Sequence, residues 1–553
     1  MKESSKASVG DWPGYHGFDT TYEERSPIEL EVTGEIPPWV AGVFYRTGIG
    51  PREIKSDNGV FKVNHWFDAL AVVHRFQILP PDERHPQTRV VYNSRSTCDK
   101  LIEHIQKTGS RDSMTFGRKY EPCTSLFKKA KSVFKPSTVP GEDSPEARSM
   151  SITLSVNYPG LDGKGMRKKG AHDRGIQTLC NKSDMTALQM IDPETLEPIG
   201  LATQAVLHPD LKGPFSAAHA RSDPVTGDIF NYNLTVGRSP TYRVFRVSAS
   251  TGETSILATI QADASYIHSL FLTDNYVILC VWNAFYVAGG IKIIWHRNLV
   301  DAMADYDASR PARWYVIDRR GDGGLVATYE SPAFFCFHSI NAFEESSTSG
   351  SGTDIVADLV AYDNLDILKE FYLDNLLPNP DGTPKPSRKP TFQISLRRYR
   401  LPLIPAKRTD AQLKAQVEFE SEPSLAVELP TLNPLYVNRR HRYVYGVINS
   451  GNGGFLDGLM KVDMDTKQAI RWSHSGQYSS EAIFVPRPGA AEEDDGVLLS
   501  AVLDGYRGVS YLLVLDAKTL TEIARAETRG AIGFGFHGVH VSSLKERNLT
   551  VNL

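Results

Sequence analysis

The sequence predicts an all-β protein built as a β-propeller. One local pattern recurs at least six times: an apolar strand, an Asp or Ser, a short turn with Thr or Gly, and a second strand. Asp and Thr side chains in such turns bond to the local backbone and reverse the chain between antiparallel strands. The turns of the six copies begin at Asp192, Asp223, Ser248, Asp318, Asp463 and Asp516. Repeated hairpins separated by uneven loops favour diverged propeller blades, whereas a β-sandwich, the alternative, fits the hairpin count and the 553-residue length less well.

Helical patterns are confined to a few inserts. Asp99 stands where it could cap a helix over residues 100–107, whose apolar side chains share one face. Residues 355–363 are rich in β-branched and apolar side chains and predict a strand, and residues 365–372 predict a short helix. We therefore expect a propeller with a few helical inserts that cap one face.

Composition limits the class of protein. Hydrophobic residues make up 41% and charged residues 23% of the chain, as in an ordinary folded domain. A net charge of −4 without a strongly basic region gives no reason to expect a nucleic-acid partner. The five cysteines contain no Cys-x-x-Cys pair, which argues against a disulfide framework and is consistent with a reducing compartment.

The chain lacks an uninterrupted apolar run long enough to span a bilayer. Residues 276–291 come nearest, but polar and glycine interruptions favour a buried strand followed by an apolar loop. The first residues show no secretory signal. We expect an N-terminal extension over residues 1–27 and a single β-propeller domain over residues 28–553.

Four histidines stand in short apolar or small-residue contexts: His219, His268, His338 and His537. A buried imidazole needs partners for both ring nitrogens. Four of them could converge on one transition metal, each giving one nitrogen to the metal and the other to an outer acceptor. The alternative is four core histidines that are satisfied separately.

The sequence motifs around these histidines resemble those of the carotenoid cleavage oxygenases. The resemblance covers about residues 28–546 and is carried by residues 218–224, 267–276, 337–345 and 536–538, together with residues 34–37, 42–48, 65–68, 481–488 and 492–500. It is closest to the branch with animal carotene oxygenases and the retinoid isomerase, and to fungal torulene-cleaving enzymes. This family implies a seven-bladed propeller with Fe(II) on its axis, held by His219, His268, His338 and His537.

The resemblance also implies three outer carboxylates, Asp184, Glu428 and Glu481. It pairs Asp184 with His268, Glu428 with His338 and Glu481 with His537. Such carboxylates accept the outer N–H of the ligands, fix their tautomers and offset the charge of the metal. Position 184 is Asp where many relatives carry Glu, so either the backbone lies closer to its histidine or a water bridges the gap.

Other histidines are expected to play no part in the metal site. His65 and His74 flank an apolar strand and are interpreted as structural. His540 follows His537 by three residues on a predicted strand and should point to the opposite face. His441 stands among polar residues and is expected to be exposed.

The implied activity is that of an Fe(II)-dependent dioxygenase, which adds O₂ across a conjugated double bond of a carotenoid or apocarotenoid, for example torulene, and yields two aldehydes. An apolar tunnel would select the bond that reaches the iron. Three alternatives stay open: a retinyl-ester isomerohydrolase, a dioxygenase that cleaves stilbenes such as resveratrol, and a non-catalytic propeller that binds partners.

A water-insoluble polyene has to come from a membrane or a lipid droplet. Residues 120–135 place apolar side chains beside lysines, as an interfacial amphipathic helix would, and include Cys123 in a region that resembles a membrane-anchoring segment of the animal branch. A basic helix packed on its own protein is the alternative. Residues 285–295 are a second candidate, as an exposed apolar patch at the tunnel mouth. We expect a cytoplasmic protein that associates peripherally with membranes and has no obligate protein partner.

Overall fold

The fold was analysed in a computed structural model of the chain. The structure describes residues 12–111, 113–119, 144–320, 323–347, 350, 352–379, 390–404, 409, 411–451 and 455–543. Residues 120–135, with Cys123 and the predicted interfacial helix, lie outside the described residues.

Strands dominate the described part of the chain. The first sixteen are β1 (Ile28–Gly34), β2 (Gly42–Ile49), β3 (Glu53–Ser56), β4 (Gly59–Lys62), β5 (Ala71–Leu79), β6 (Arg89–Ser96), β7 (Thr153–Val156), β8 (Leu179–Lys182), β9 (Ala187–Ile191), β10 (Pro198–Thr203), β11 (Arg221–Ser222), β12 (Ile229–Thr235), β13 (Thr241–Val247), β14 (Thr254–Gln261), β15 (Phe271–Leu272) and β16 (Tyr276–Val281). The others are β17 (Ala312–Asp318), β18 (Leu325–Ser331), β19 (Phe335–Ser346), β20 (Thr353–Tyr362), β21 (Ile394–Ile404), β22 (Gln412–Lys414), β23 (Gln416–Glu420), β24 (Glu428–Thr431), β25 (Tyr443–Ile448), β26 (Gly458–Asp463), β27 (Ala469–Trp472), β28 (Gln477–Ser479), β29 (Ile483–Pro486), β30 (Gly496–Asp504), β31 (Val509–Asp516), β32 (Glu522–Glu527) and β33 (Gly538–Ser542).

Helices are few and short, as predicted. The α-helices of the described residues are Tyr15–Phe18, Asp99–Thr108, Gln204–Leu207, Ile291–His296, Asp366–Glu370 and Leu373–Leu376. The 3₁₀ turns are Pro38–Val40, Trp66–Asp68, Pro145–Ala147, Val287–Gly290, Val300–Ala302, Pro423–Leu425 and Pro434–Tyr436. Within the described ranges, no helix has the length and apolar character that a bilayer crossing requires.

The strands form mainly antiparallel sheets, and the predicted all-β, propeller-like fold is confirmed. Five separate sheets of the described residues follow the orders β10-β9-β8-β7, β11-β12-β13-β14, β15-β16-β17-β18-β22, β19-β20-β21-β23 and β24-β25-β26-β27. A ten-stranded sheet runs β28-β30-β31-β32-β1-β6-β5-β2-β33, with β29 also paired to β30, and β3 and β4 form a small ribbon. The described chain therefore shows five separate blade-like sheets and not the seven that the resemblance implied. The difference lies in β1, which pairs with β6 through Ile28–Leu30 and with β32 through Glu31–Gly34, so that two strand groups become one sheet.

The six predicted hairpins are confirmed. The strands that flank each turn pair in antiparallel register. The Asp192 carboxylate accepts the backbone N–H of Thr195 at 2.7 Å, and Asp516 accepts that of Thr519 at 2.9 Å. The Asp and Thr turns thus reverse the chain by the local bonds that the sequence pattern predicted.

Two local predictions need correction. The helix Asp99–Thr108 starts after Cys98, which is the N-cap residue, so Asp99 is not the cap. Asp99 instead accepts a hydrogen bond from Arg25 at 2.7 Å. Phe285 and Tyr286 are buried rather than part of an exposed apolar patch, since Arg310 covers the Phe285 ring at 3.5 Å, although Ile291 in the same segment is exposed.

Candidate metal centre

The four histidines reach one place from four different sheets. His338 lies in β19, and the other three stand just before β11, β15 and β33. These are edge strands of their sheets. All four residues are buried, with between 3% and 8% of their surface exposed. A propeller brings the inner edges of its sheets to a common axis, and the four imidazoles therefore converge although they are far apart in sequence.

The ring nitrogens of the four histidines form a compact group. One nitrogen from each lies within 4.8 Å of the others. The Nε2 of His537 is 3.0 Å from Nε2 of His219 and 3.3 Å from Nε2 of His338. Two nitrogens that bind one ion at ~2.1 Å and at a right angle lie about 3.0 Å apart. The spacing thus fits a shared ion.

A carboxylate lies against the outer nitrogen of three of these histidines. The Nδ1–H of His268 donates to Asp184 Oδ1 at 2.7 Å, and that of His338 donates to Glu428 Oε2 at 2.6 Å. The Nδ1–H of His537 donates to Glu481 Oε1 at 2.8 Å. The structure therefore brings together each of the three pairs that the resemblance implied.

Asp184 contacts His268 directly, so the bridging water that the sequence analysis considered for the shorter Asp side chain is not needed. Its backbone carbonyl accepts the Ser216 N–H at 3.0 Å, which ties residue 184 to the strand connection that leads to His219. Its second carboxylate oxygen accepts the Tyr266 hydroxyl at 2.9 Å. The Asp184 side chain is thus long enough to contact His268 without a bridging group.

The three carboxylate contacts determine which nitrogen of His268, His338 and His537 could bind a metal. A carboxylate at Nδ1 favours the tautomer with the proton on Nδ1, and the Nε2 lone pair then points into the group. Lone pairs 3.0 Å apart, as at His219 and His537, repel each other unless a proton or a cation lies between them. The donor set, all imidazole nitrogen, suits Fe, Zn, Cu or Ni rather than Mg or Ca. The residues present therefore fit a transition-metal ion.

Burial favours neutral imidazoles at two of the four histidines. Burial lowers the pKa of His338 to about 4 and that of His537 to about 3, so both rings are neutral at pH 7. Burial also opposes ionisation of Glu428, but His338, the Tyr362 hydroxyl and the Leu429 N–H outweigh it and lower the pKa of this carboxyl. For Glu481, burial prevails over the Gly538 N–H and raises the pKa to about 8. A bound dication would favour the ionised form of both carboxyls.

A large apolar cavity opens onto one side of the four imidazoles. It measures about 670 Å³, and His268, His338 and His537 form its inner end. Most of the wall is aromatic or aliphatic, with the rings of Trp66, Phe67, Phe337, Phe371, Phe455 and Phe536. This is the apolar tunnel that the resemblance implied, and it is large enough for an extended hydrophobic ligand.

Two tyrosines belong to the site although the sequence did not single them out. The Tyr362 hydroxyl donates to Glu428 Oε1 at 2.5 Å, and Tyr266 makes the corresponding bond to Asp184. Tyr266 stands two residues before His268, and this spacing places both side chains on one face of an extended segment. The position of Tyr266 could therefore have been predicted from the sequence. Tyr362 lies in β20, 66 positions before Glu428, and no short stretch of sequence indicates that the two side chains meet.

His65, His74, His441 and His540 lie outside the group. His65 and His540 bond through Nε2 to backbone carbonyls, of Leu368 at 2.9 Å and Val40 at 3.0 Å, and His74 bonds to the Tyr92 hydroxyl. His441 is 2% exposed, so the prediction that it is exposed was wrong. The Asn341 side-chain amide from β19 bonds to His441 Nδ1 at 3.1 Å, and Asp358 of β20 lies 3.4 Å from Nε2; the sequence around His441 indicates neither contact.

Comparison with known proteins gives consistent results. The family model described as retinal pigment epithelial membrane protein matches residues 17–542. A carotenoid dioxygenase from Neurospora crassa is 42% identical over 96% of this chain and 92% of its own length. A torulene dioxygenase from Gibberella fujikuroi is 40% identical over 96% of this chain and 94% of its own. The human beta,beta-carotene 15,15'-dioxygenase is 25% identical over 94% of this chain and 93% of its own.

The fold is also that of a solved structure. A mutant of the apocarotenoid oxygenase from Synechocystis superposes with a TM-score of 0.71 at 23% identity, over 98% of this chain and 100% of that protein. At this identity the likeness concerns the fold.

Proposed function

The chain belongs to the retinal pigment epithelial membrane protein family, the family of the carotenoid oxygenases that the sequence motifs predicted, and on this basis we propose that it is a carotenoid cleavage dioxygenase. It cleaves one conjugated C=C bond of a carotenoid or apocarotenoid, such as torulene, with O₂. The observation that carries the proposal is the group of four imidazoles, three of which form the inner end of an apolar tunnel of about 670 Å³.

The architecture we propose is one seven-bladed propeller over residues 28–553, with helical inserts that cap one face. Five blades are the separate sheets. The ten-stranded sheet supplies two more, β28 to β32 and β33 with β2, β5 and β6, which β1 joins by pairing with both. Residues 1–27 are an N-terminal extension, and Phe18 of this segment packs against Phe534 with ring centroids 4.9 Å apart.

The metal we propose is Fe(II), bound by Nε2 of His219, His268, His338 and His537. Such an ion supplies the activation of O₂, and no nicotinamide or flavin is required. The residues of the chain prepare the site for it. Asp184, Glu428 and Glu481 hold the outer N–H of three ligands, so that the rings cannot rotate and their lone pairs point inward.

The tunnel positions the substrate. A polyene is rigid and apolar, and the aromatic walls bury it while they exclude water. Because His268, His338 and His537 close the inner end, the double bond that stops beside them is the bond that reacts. The reaction balances without another reductant: the C=C bond and the O–O bond break, and each carbon receives one oxygen atom to form an aldehyde.

The described walls of the tunnel favour a polyene over a stilbene. A stilbene-cleaving enzyme is expected to offer a tyrosine and a lysine to the phenol. Tyr362 lines the tunnel, but its hydroxyl is taken up by Glu428, and no lysine lies among the described lining residues. A retinyl-ester isomerohydrolase differs in its product, which contains no atom from O₂.

The substrate also implies contact with lipid. We propose that the protein is cytoplasmic and binds peripherally to a membrane or lipid droplet through residues 120–135. Making Leu126, Phe127 and Phe134 polar should release the protein from membranes into the soluble fraction without unfolding it. Unchanged sedimentation with membranes would contradict this assignment.

The activity is tested with iron-loaded protein, a panel of carotenoids, apocarotenals and stilbenes, and ¹⁸O₂. We expect two aldehydes from a carotenoid, each with one ¹⁸O atom when exchange with water is limited. The His338→Ala variant should lose iron and cleavage yet stay folded. The matched control is His172→Gln, a half-buried histidine that bonds to the Tyr158 carbonyl away from the tunnel. Full cleavage by His338→Ala, or products without ¹⁸O, would overturn the proposal.

A further inference from the structure

Two cavities adjoin the four imidazoles. The smaller is a chamber of about 60 Å³ lined by His219 and His537, and among the described lining residues it shares only His537 with the tunnel. Its walls come from the inner strands of several sheets, and the half-buried Pro434 and Ile483 line it as well. A water molecule needs roughly 10–15 Å³ of such space, so the chamber takes a few small molecules or ions but no polyene.

The chamber contains a buried lysine. Lys182 is the last residue of β8 and pairs with Thr153 of β7, the edge strand of its sheet. Its side chain lines the chamber, and the residue is only 2% exposed. Among the described residues, none places a hydrogen-bonding atom against Lys182 Nζ. An ammonium group buried in this way is costly unless something else compensates its charge.

The polar groups around Lys182 are engaged elsewhere. Both oxygens of Glu481 accept hydrogen bonds, from His537 Nδ1 and the Gly538 N–H, each at 2.8 Å. The Thr153 hydroxyl donates to the Ala218 carbonyl at 2.7 Å. Cys180 lies on the same face of β8, but burial raises the pKa of its thiol to about 12, so it carries no charge. None of these groups bonds to Lys182 Nζ.

The lysine is nevertheless charged at neutral pH. Burial lowers the pKa of Lys182 only to about 8. No described residue bonds to Lys182 Nζ to balance this charge. The chamber is therefore small, polar along part of its wall and positively charged, which is a suitable environment for a small anion.

We propose that this chamber is an anion site, in which Lys182 Nζ binds a small monovalent anion such as a halide. Lys182 lines the chamber and not the tunnel, so a polyene and the anion bind at the same time. Lys182 is not one of the proposed metal ligands, and the site does not depend on the cleavage reaction. The anion supplies the negative charge and the hydrogen-bond acceptor that no described residue places against Lys182 Nζ.

The test uses crystals of the iron-loaded protein soaked in sodium bromide, with bromide located by its anomalous signal. We expect a bromide peak at hydrogen-bonding distance from Lys182 Nζ, and its loss in Lys182→Met, which keeps the length of the side chain without its charge. Lys461→Met is the matched control. Lys461 is also buried, but its Nζ bonds to Asp494 at 2.6 Å, and this variant should keep the bromide in the chamber.

A second measurement covers the case in which Lys182→Met does not fold. At millimolar concentrations, where general salt effects on stability are small, sodium bromide should raise the melting temperature of the wild-type protein more than sodium fluoride, because the strongly hydrated fluoride enters a small buried chamber less readily. A chamber that contains only water at every bromide concentration overturns the proposal even without a variant. Bromide that persists in Lys182→Met overturns it as well. Neither result bears on carotenoid cleavage, so the two proposals fail separately.

Discussion

Glu428 provides a direct test of how the outer carboxylates act on the metal centre. One of its oxygens accepts His338 Nδ1 at 2.6 Å and the Leu429 N–H at 3.0 Å, and the other accepts the Tyr362 hydroxyl at 2.5 Å. In Glu428→Gln the amide oxygen can keep the first two bonds, while the amide nitrogen meets the oxygen of Tyr362. The substitution therefore removes the negative charge and leaves the position of His338 largely unchanged.

Loss of such an outer partner typically weakens metal affinity by about 10- to 100-fold, which corresponds to about 1.4–2.7 kcal/mol. We expect this increase in the dissociation constant for Fe(II), measured under anaerobic conditions by competition with a coloured chelator. Glu493→Gln is the control, because Glu493 accepts the backbone N–H groups of Arg442 and Tyr443 far from the imidazoles. If Glu428→Gln binds iron within twofold of the wild type, the carboxylate does not support the metal through His338.

Three further predictions concern the tunnel, the pH dependence and the packing. Ala426→Trp places a large ring in the tunnel wall and should lower kcat/KM for a carotenoid about 100-fold with unchanged iron content; unchanged kcat/KM would show that the substrate lies elsewhere. Burial lowers the pKa of His65 to about 4, below its unfolded value, so its contribution to stability is complete above about pH 6.5 and is lost toward pH 4. The free energy of unfolding of metal-free protein should fall there by about 1.4 kcal/mol per pH unit more than that of His65→Gln, and equal slopes would refute this. A Cβ at Gly535 would lie 1.8 Å from the Thr47 carbonyl oxygen, so Gly535→Ala should lower the free energy of unfolding, measured with denaturant, by about 1–3 kcal/mol. A Cβ at Gly50 would lie 3.4 Å from its nearest neighbour, so Gly50→Ala should lower it less. Equal losses in the two variants would contradict the packing argument.

The features that the sequence predicted well depend on local or motif signals. Each hairpin turn is made by an Asp or Ser and a residue two or three positions later, as at Asp192 and Asp516, so a short window of sequence contains both partners. The four histidines were found because each stands in a recognisable motif. Their convergence is then a consequence of the sheets that position them.

The features that the sequence missed depend on partners far along the chain. His441 is buried because Asp358, 83 positions earlier, packs against it, and nothing beside His441 indicates this. The tunnel combines Trp66, Phe371 and Phe536, which a linear pattern cannot relate to one another. The number of separate sheets was wrong because β1 divides its hydrogen bonds between two neighbours, a choice that its own residues do not specify.

The strand β33 has a consequence for how the protein matures. It pairs with β2 from Gly42 to Arg46, and His537 stands immediately before it, where its carbonyl accepts the Thr47 N–H at 2.9 Å. During synthesis, a ribosome has released nearly all other described strands before these residues emerge. The pairing of β33 with β2 and the placement of His537 beside the other three imidazoles therefore occur in the same step. Until that step, a nascent chain can bring together at most three of the four histidines.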